Sequence, residues 1–464
     1  MDKVVIHSSA VIRILAGTLW TIFLLMVSII VLWFAGNRLL DESPHEDREA
    51  FLVSPIDQIP DRQNIAIGIL GLTAPKDSDF MEYGSEIASL YKSASFSQVQ
   101  EKMYGSGTIQ PTVDPSRVFC WLYQRRENND CLPQEQVPKI LLDNTELLHR
   151  FRSLHRLNQY SNLYQYHNVH LIDILRLSIV DIHLHLQRGE FEVAFTKWRD
   201  QLLFSKNLLA GTDGLIGKTV ARLTFVFTLP HLENILAADP ELANKYKEEL
   251  AYLLEIDGVE AFNLDGIQRA EYSILKQALE YPPEGKEDKL SWLVFHLGQK
   301  QRILNRYYEF SKDYTKALRL PWSQIEEEVT RLREKHLYPS PWDILIDPFG
   351  TVLLSEYFLE ARIESLTGEL INLHAIDGKL RLASLLVLIT NADIEDDEIP
   401  AFIEAAGPAY YNPLLKAPMK WNPDKRIIIF PYLNNPCEVK ESFRIPDNRT
   451  RGLLSTPRPY PRLC

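Results

Sequence analysis

Residues 169–209 read VHLIDILRLSIVDIHLHLQRGEFEVAFTKWRDQLLFSKNLL, and this stretch decides the fold. Its first half, Val169 to Leu186, is apolar nearly all round, as expected of a helix in the middle of a bundle. Gly189 breaks the pattern and Glu190 to Leu209 resumes it. The two halves predict a helical hairpin, with Gly189 at the turn and Ala194 in a close-packed slot. A tetratricopeptide array would repeat such a hairpin about every 34 residues. At that distance from Gly189 stands Leu223, inside a predicted helix, so the hairpin is single.

Helical periodicity continues on both sides. Val137 to Gln159 carries Ile140, Leu141, Leu147, Leu148, Phe151 and Leu154 near a 3.6 spacing. Further helices are expected at about 215–236, 239–254, 266–280, 289–317, 322–335 and 352–390. Short connections carrying Gly, Pro, Asp or Asn join them, which predicts a mainly α fold of antiparallel neighbours. Asn64 to Leu72 (NIAIGILGL) is a short apolar run with two glycines and is read as a buried extended segment. Near the C-terminus, Arg426 to Phe430 is a β-branched strand. Lys416 to Trp421 can pair with it across Asn422-Pro423-Asp424, giving a small β-hairpin.

The N-terminal region differs in kind. Ile14 to Gly36 (ILAGTLWTIFLLMVSIIVLWFAG) contains no charge over 23 residues. As a helix it would span ~34 Å, enough for the ~30 Å hydrocarbon core of a bilayer. It is too long for a signal-peptide core and lacks a small-x-small exit, so an uncleaved transmembrane anchor is expected. Lys3 and Arg13 on one side balance Arg38 and Arg48 on the other. The α-amino group and the seven acids between Asp41 and Arg62 break the tie. The short tail is then cytoplasmic and the body periplasmic, on a bacterial inner membrane.

The resulting organisation is a cytoplasmic tail (1–13), an anchor (14–36) and an acidic linker (37–62). Next come an irregular segment with the buried extended run (63–115) and the α-helical body (116–340). A helical hairpin plus β-hairpin module (341–432) and a Pro/Arg-rich extended tail (433–464) complete the chain. Lys plus Arg number 50 against 62 Asp plus Glu, a net −12, which argues against a nucleic-acid partner. A mean hydropathy of −0.16 excludes a polytopic membrane protein.

Four cysteines, Cys120, Cys131, Cys437 and Cys464, are disulfide candidates, with three connectivities open. A bridge over the Cys120–Cys131 loop would contribute roughly 3 kcal/mol in the chain-entropy model. No cofactor motif stands out. Gly211 to Thr219 (GTDGLIGKT) misses the phosphate-loop spacing by one residue and follows a helix, not a strand. Asp393 to Glu404 has carboxylates at calcium-loop positions, but Glu398 stands where glycine is required. Half of the twelve histidines fall between His149 and His185. The best metal set among them is His167, His170 and Asp173, against the more ordinary reading of backbone-bonded histidines. No catalytic constellation can be assigned.

Asp347-Pro348-Phe349-Gly350, Arg381-Leu382-Ala383, Glu398-Ile399-Pro400, Asn412-Pro413-Leu414 with Lys416 and Pro418, and the strand Ile427 to Phe430 occur in that order. Over roughly residues 340–432 this resembles uncharacterised bacterial single-pass, membrane-anchored helical envelope proteins. In those the fourth motif is Asp-Pro-Phe-x-Gly; here it is Asn-Pro-Leu without the glycine. The resemblance implies a fold and a location, and no activity. The expected function is a membrane-anchored extracytoplasmic scaffold with a protein partner in the envelope. A binder of lipid or a small molecule between helices, or an envelope hydrolase, are the alternatives.

Overall fold

The computed structural model describes residues 16–29, 31–32, 41–47, 59–93, 96–112, 133–157, 169–211, 215–255, 262, 264–280, 299–338, 340–347, 350–351, 354–355, 359–392, 394–430 and 441–445. Among these the chain is mainly α-helical, with a small antiparallel sheet near the C-terminus. Two compact units divide it. The first holds Met1–Leu52, Tyr272–Ala317 and Gln324–Leu366; the second holds Val53–Glu271, Leu318–Ser323 and Thr367–Cys464.

The second unit is built on the hairpin expected from residues 169–209. Its helices run Val169–Gln187 and Phe191–Gly211. Leu175, Leu177, Ile179, Val180 and Ile182 are all fully buried, so the first helix is surrounded as its pattern requires. Gly189 adopts φ +72°, a conformation that costs an L side chain strain. Its N–H bonds the Leu186 carbonyl at 3.1 Å, and the Glu190 N–H bonds the His185 carbonyl at 3.0 Å. These bonds close the helix end and turn the chain back. Ala194 is fully buried. Trp198, also buried, donates from Nε1 to the Thr228 carbonyl at 2.9 Å, and Gln201 Nε2 donates to Thr228 Oγ1 at 2.8 Å. These bonds tie the hairpin to the end of the helix Leu215–Thr228.

Several expected helices are broken: the one over 239–254 divides at Tyr246 into Glu241–Lys245 and Lys247–Leu254. The one over Val137 to Gln159 divides at Asn144 into Val137–Asp143 and Thr145–Ser153. The Asn144 amide donates to Thr112 Oγ1 and to the Ile140 carbonyl, each at 2.8 Å, so tertiary bonding overrides the continuous apolar pattern. The one over 215–236 stops before Pro230 and restarts as His231–Ala238.

The run Asn64 to Leu72 is corrected by the structure. It is not extended but forms the helix Ile65–Gly71, started by the Asn64 side chain accepting from the Ala66 N–H at 2.9 Å. Nor is the stretch after it irregular: Phe80–Ser93 and Phe96–Tyr104 are helices. Short apolar runs do not separate strand from buried helix by periodicity alone. Gly71 of this run, and Gly84 of the next helix, serve close helix contact. A Cβ at Gly71 would lie 1.7 Å from the Phe80 carbonyl oxygen, and one at Gly84 would lie 2.1 Å from that of Ile67.

The C-terminal sheet has the order β1 (Lys420–Asn422), β2 (Ile427–Phe430), β3 (Glu441–Arg444). β1 and β2 pair as expected, with Trp421 opposite Ile428. The third strand, with Phe443 opposite Ile428, was not expected within the Pro/Arg-rich tail.

In the first unit the helix Lys300–Leu318 buries Tyr307, Phe310 and Tyr314. Phe310 meets the His336 ring edge-on at 5.4 Å. Asp41 accepts from the N–H groups of Gln301 at 3.0 Å and Arg302 at 3.1 Å, capping this helix across 260 residues of sequence. Within the expected anchor, residues 16–29 and 31–32 are described, and all are helical. Among the described residues no helix is long and apolar enough to cross a membrane.

The helix contact predicts a cost for any side chain at Gly84. A backbone oxygen cannot swing aside, so Gly84→Ala should destabilise by about 1–3 kcal/mol. A urea melt would read this as a lower midpoint at unchanged slope; an unaltered midpoint would contradict the packing.

Candidate functional site

One exposed surface is strongly apolar. Eleven large hydrophobic side chains between Leu19 and Leu32 are exposed, among them Trp20 at 62%, Leu25 at 58% and Leu32 at 71%. They face all directions around one helix, so no single groove or neighbour accounts for them.

The second unit holds a chain of polar groups at the turn end of its hairpin. Asp181 accepts from Arg152, and from Lys197 at 2.6 Å. Lys197 also donates to His185 Nε2, and His185 Nδ1 faces the Glu190 carboxylate. Burial, then the nearby Arg152 guanidinium, pull the Lys197 amine below the usual lysine range, against the attraction of Asp181. Each member is occupied by the next. The arrangement fastens Thr145–Ser153, Val169–Gln187 and Phe191–Gly211 together.

Buried histidines form a second group. His183 is pushed down to about 4 by burial. His231 is pushed down to about 3 by burial and then by His183. His374 is buried as well, its ring nitrogens make no hydrogen bond among the described residues, and burial lowers it. All three are held neutral.

A cleft of about 580 Å³ opens in the second unit, with Leu250, Leu254, Val387 and Leu388 beside Tyr252 and Arg381. That size falls in the small-molecule range. Its guanidinium is already engaged: Arg381 binds both oxygens of Asp377 at 2.7 and 2.9 Å and reaches the Pro408 carbonyl at 3.3 Å. The Asn412 side chain accepts from Leu414 N at 2.8 Å and Leu415 N at 3.1 Å, closing the turn at Asn412-Pro413-Leu414.

The residues singled out by sequence do not converge. Cys120, Cys131, Cys437, Cys464 and His167 lie outside the described residues. His170 is helical, and Asp173 pairs with Arg176 at 3.1 Å on the same helix. Among the described residues no three His, Cys, Asp or Glu side chains are grouped as a metal cage. Lys218, in the phosphate-loop-like run, is buried and donates to the Leu209 carbonyl. Asp396, in the calcium-loop-like run, pairs with Arg426 at 3.0 Å. The groups that sequence reading missed are Asp181 as a hub, Asp41 as a distant cap and Arg150. Arg150 is 2% exposed and donates to the carbonyls of Ala74 and Pro75. Arg150 pairs with Glu146 and Asp181 with His185 one helical turn away, but the Ala74, Pro75, Arg152, Lys197 and Gln301 contacts that give these groups their roles are remote in sequence.

Comparison with known protein families, with characterised proteins and with solved structures finds no match for this chain.

The buried histidines make the fold sensitive to acid. The unfolded chain takes up protons near pH 6.5, whereas folded His183 resists until about 4 and His231 until about 3. The unfolded state therefore binds more protons in that window, and stability falls as pH drops from about 6.5 toward 4. For His183 alone the loss is of order 3 kcal/mol. Urea melts from pH 7 to 4 should show it, and His183→Gln should flatten the slope. An unchanged slope in that variant would place the acid sensitivity elsewhere.

Proposed function

We propose that the chain is a single-pass, membrane-anchored scaffold of the bacterial envelope, with its helical body on the periplasmic side of the inner membrane and a protein partner there. The observation that carries the reading is the helix over residues 16–29, whose apolar side chains are exposed on every side. In sequence the same charge-free stretch continues from Ile14 to Gly36, long enough for the hydrocarbon core. The acids from Asp41 onward and the basic short tail support the orientation. The scaffold role is supported by the engagement of the polar groups. Asp181, Lys197, Arg381 and Arg150 all hold structure together, and no nucleophile–base–orienter set is assembled among the described residues.

A second reading, a binder of a lipid or small molecule, is favoured by the cleft beside Leu250, Tyr252 and Val387. Purification from detergent-solubilised membranes separates the two. The scaffold reading predicts a discrete protein recovered in constant ratio with the chain. No such protein, together with a tightly bound small molecule that Leu250→Trp displaces, would overturn it. Protease added to spheroplasts should cleave the body without lysis; a body protected until lysis would reverse the orientation.

A further inference from the structure

Tyr338 and Trp342 stand out in the first unit. They are 72% and 70% exposed, unlike the buried aromatics of the adjoining helix Lys300–Leu318. Trp342 is not on a loose loop. It occupies the first turn of Pro341–Ile346, and Ser340 and Asp343 close a capping box around that start. The Ser340 hydroxyl accepts from Asp343 N at 3.2 Å, and Ser340 N donates to Asp343 Oδ2 at 3.1 Å.

This short helix is fastened at both ends to the start of Lys300–Leu318. Arg302 Nη2 donates to Asp343 Oδ1 at 2.6 Å. At the other end Asp347 accepts from Gln299 N at 3.2 Å and Gly350 N at 2.9 Å. The same helix start is capped by Asp41. Glu42 and Ser43 then accept from Asn305, at 3.0 and 2.9 Å. The chain leaving the apolar stretch is thus bound to the start of Lys300–Leu318, to which the short helix carrying Trp342 is also fastened, and Tyr338 lies four residues before Trp342 in sequence.

Chain length sets how far apart they can be. Asp41 follows Gly36 by five residues. Five residues reach at most about 18 Å when fully extended. If the apolar stretch is embedded to Gly36, the start of Lys300–Leu318 is held within that distance of the bilayer surface, and Trp342 is fastened to it.

We propose that Tyr338 and Trp342 form a second membrane contact, an aromatic foot that enters the headgroup layer and fixes the first unit against the bilayer. Tryptophan and tyrosine favour this layer because one end of the ring is apolar and the other hydrogen-bonds to water or headgroups. Charge next to the pair in sequence is mixed: Arg333, Glu334 and Lys335 are all exposed on the preceding helix. The contact is therefore with the interface itself and selects no headgroup charge. The proposal rests on the anchored reading above.

The test uses the full chain reconstituted into phosphatidylcholine vesicles, with and without brominated acyl chains. Flotation reports the anchor. The Trp342 signal is the difference in emission between the chain and Trp342→Phe, a substitution mild enough to keep the fold. The expected result is a floating chain whose Trp342 signal is blue-shifted and falls about twofold with brominated lipid, while aqueous iodide quenches it weakly. Tyr338→Ser with Trp342→Ser should float equally well. A floating chain whose Trp342 signal is open to iodide and indifferent to bromine overturns the foot and leaves the anchor standing. A signal shielded from both means a protein surface covers the pair, and the lipid assignment is wrong. A chain that does not float overturns both readings.

Discussion

Everything proposed for this chain depends on where the side chains from Leu19 to Leu32 rest. Burial of a large apolar side chain is favourable by roughly 1.5–3 kcal/mol. Eleven such groups, exposed by between 39% and 71%, would leave of order 10 kcal/mol unrealised in water. That is comparable to the whole stability of a folded domain. The body does not share this property: its core side chains, from Ile65 to Ile445, are buried, and only seven other large hydrophobics are exposed among the described residues. The contrast within one chain is the ground for assigning the helix and the body to different surroundings.

Within each unit, ionic groups act mainly on the backbone and on one another. Asp41 caps a helix 260 residues away, and Arg150 collects the carbonyls that follow Ile65–Gly71. Asp313 receives Lys335 at 2.6 Å and His336 at 2.9 Å. Burial alone would lift the Asp313 carboxyl, but these two donors hold it below the usual range. A buried charge so matched is costly to disturb from one side, because removing a single partner strands the other.

The fold was legible where the signal was local and periodic. Val169 to Leu209 declared itself by an apolar run, a turn glycine and a resumed pattern. Ile427 to Phe430 did so by β-branching beside an Asn-Pro-Asp turn. Reading failed where a remote contact decided. Asn144 splits a continuous helical pattern because Thr112 engages its amide. Asn64 to Leu72 is helical because Gly71 and Gly84 let two backbones meet, which only the folded chain reveals. Glu441–Arg444 has no alternation to mark it as a strand and acquires one from its neighbour β2. Little of the candidate site was legible beyond the apolar stretch. His183 and His231 sit on different helices, the Asp41 cap reaches across 260 residues, and the Trp342 helix is fastened by partners 41 and 48 residues away.

The most direct measurement is alkaline carbonate extraction of membrane vesicles carrying the full chain, beside a variant lacking residues 14–36. The account predicts that the full chain stays with the sedimented membrane and the variant moves to the supernatant. Release of the full chain by carbonate would contradict it.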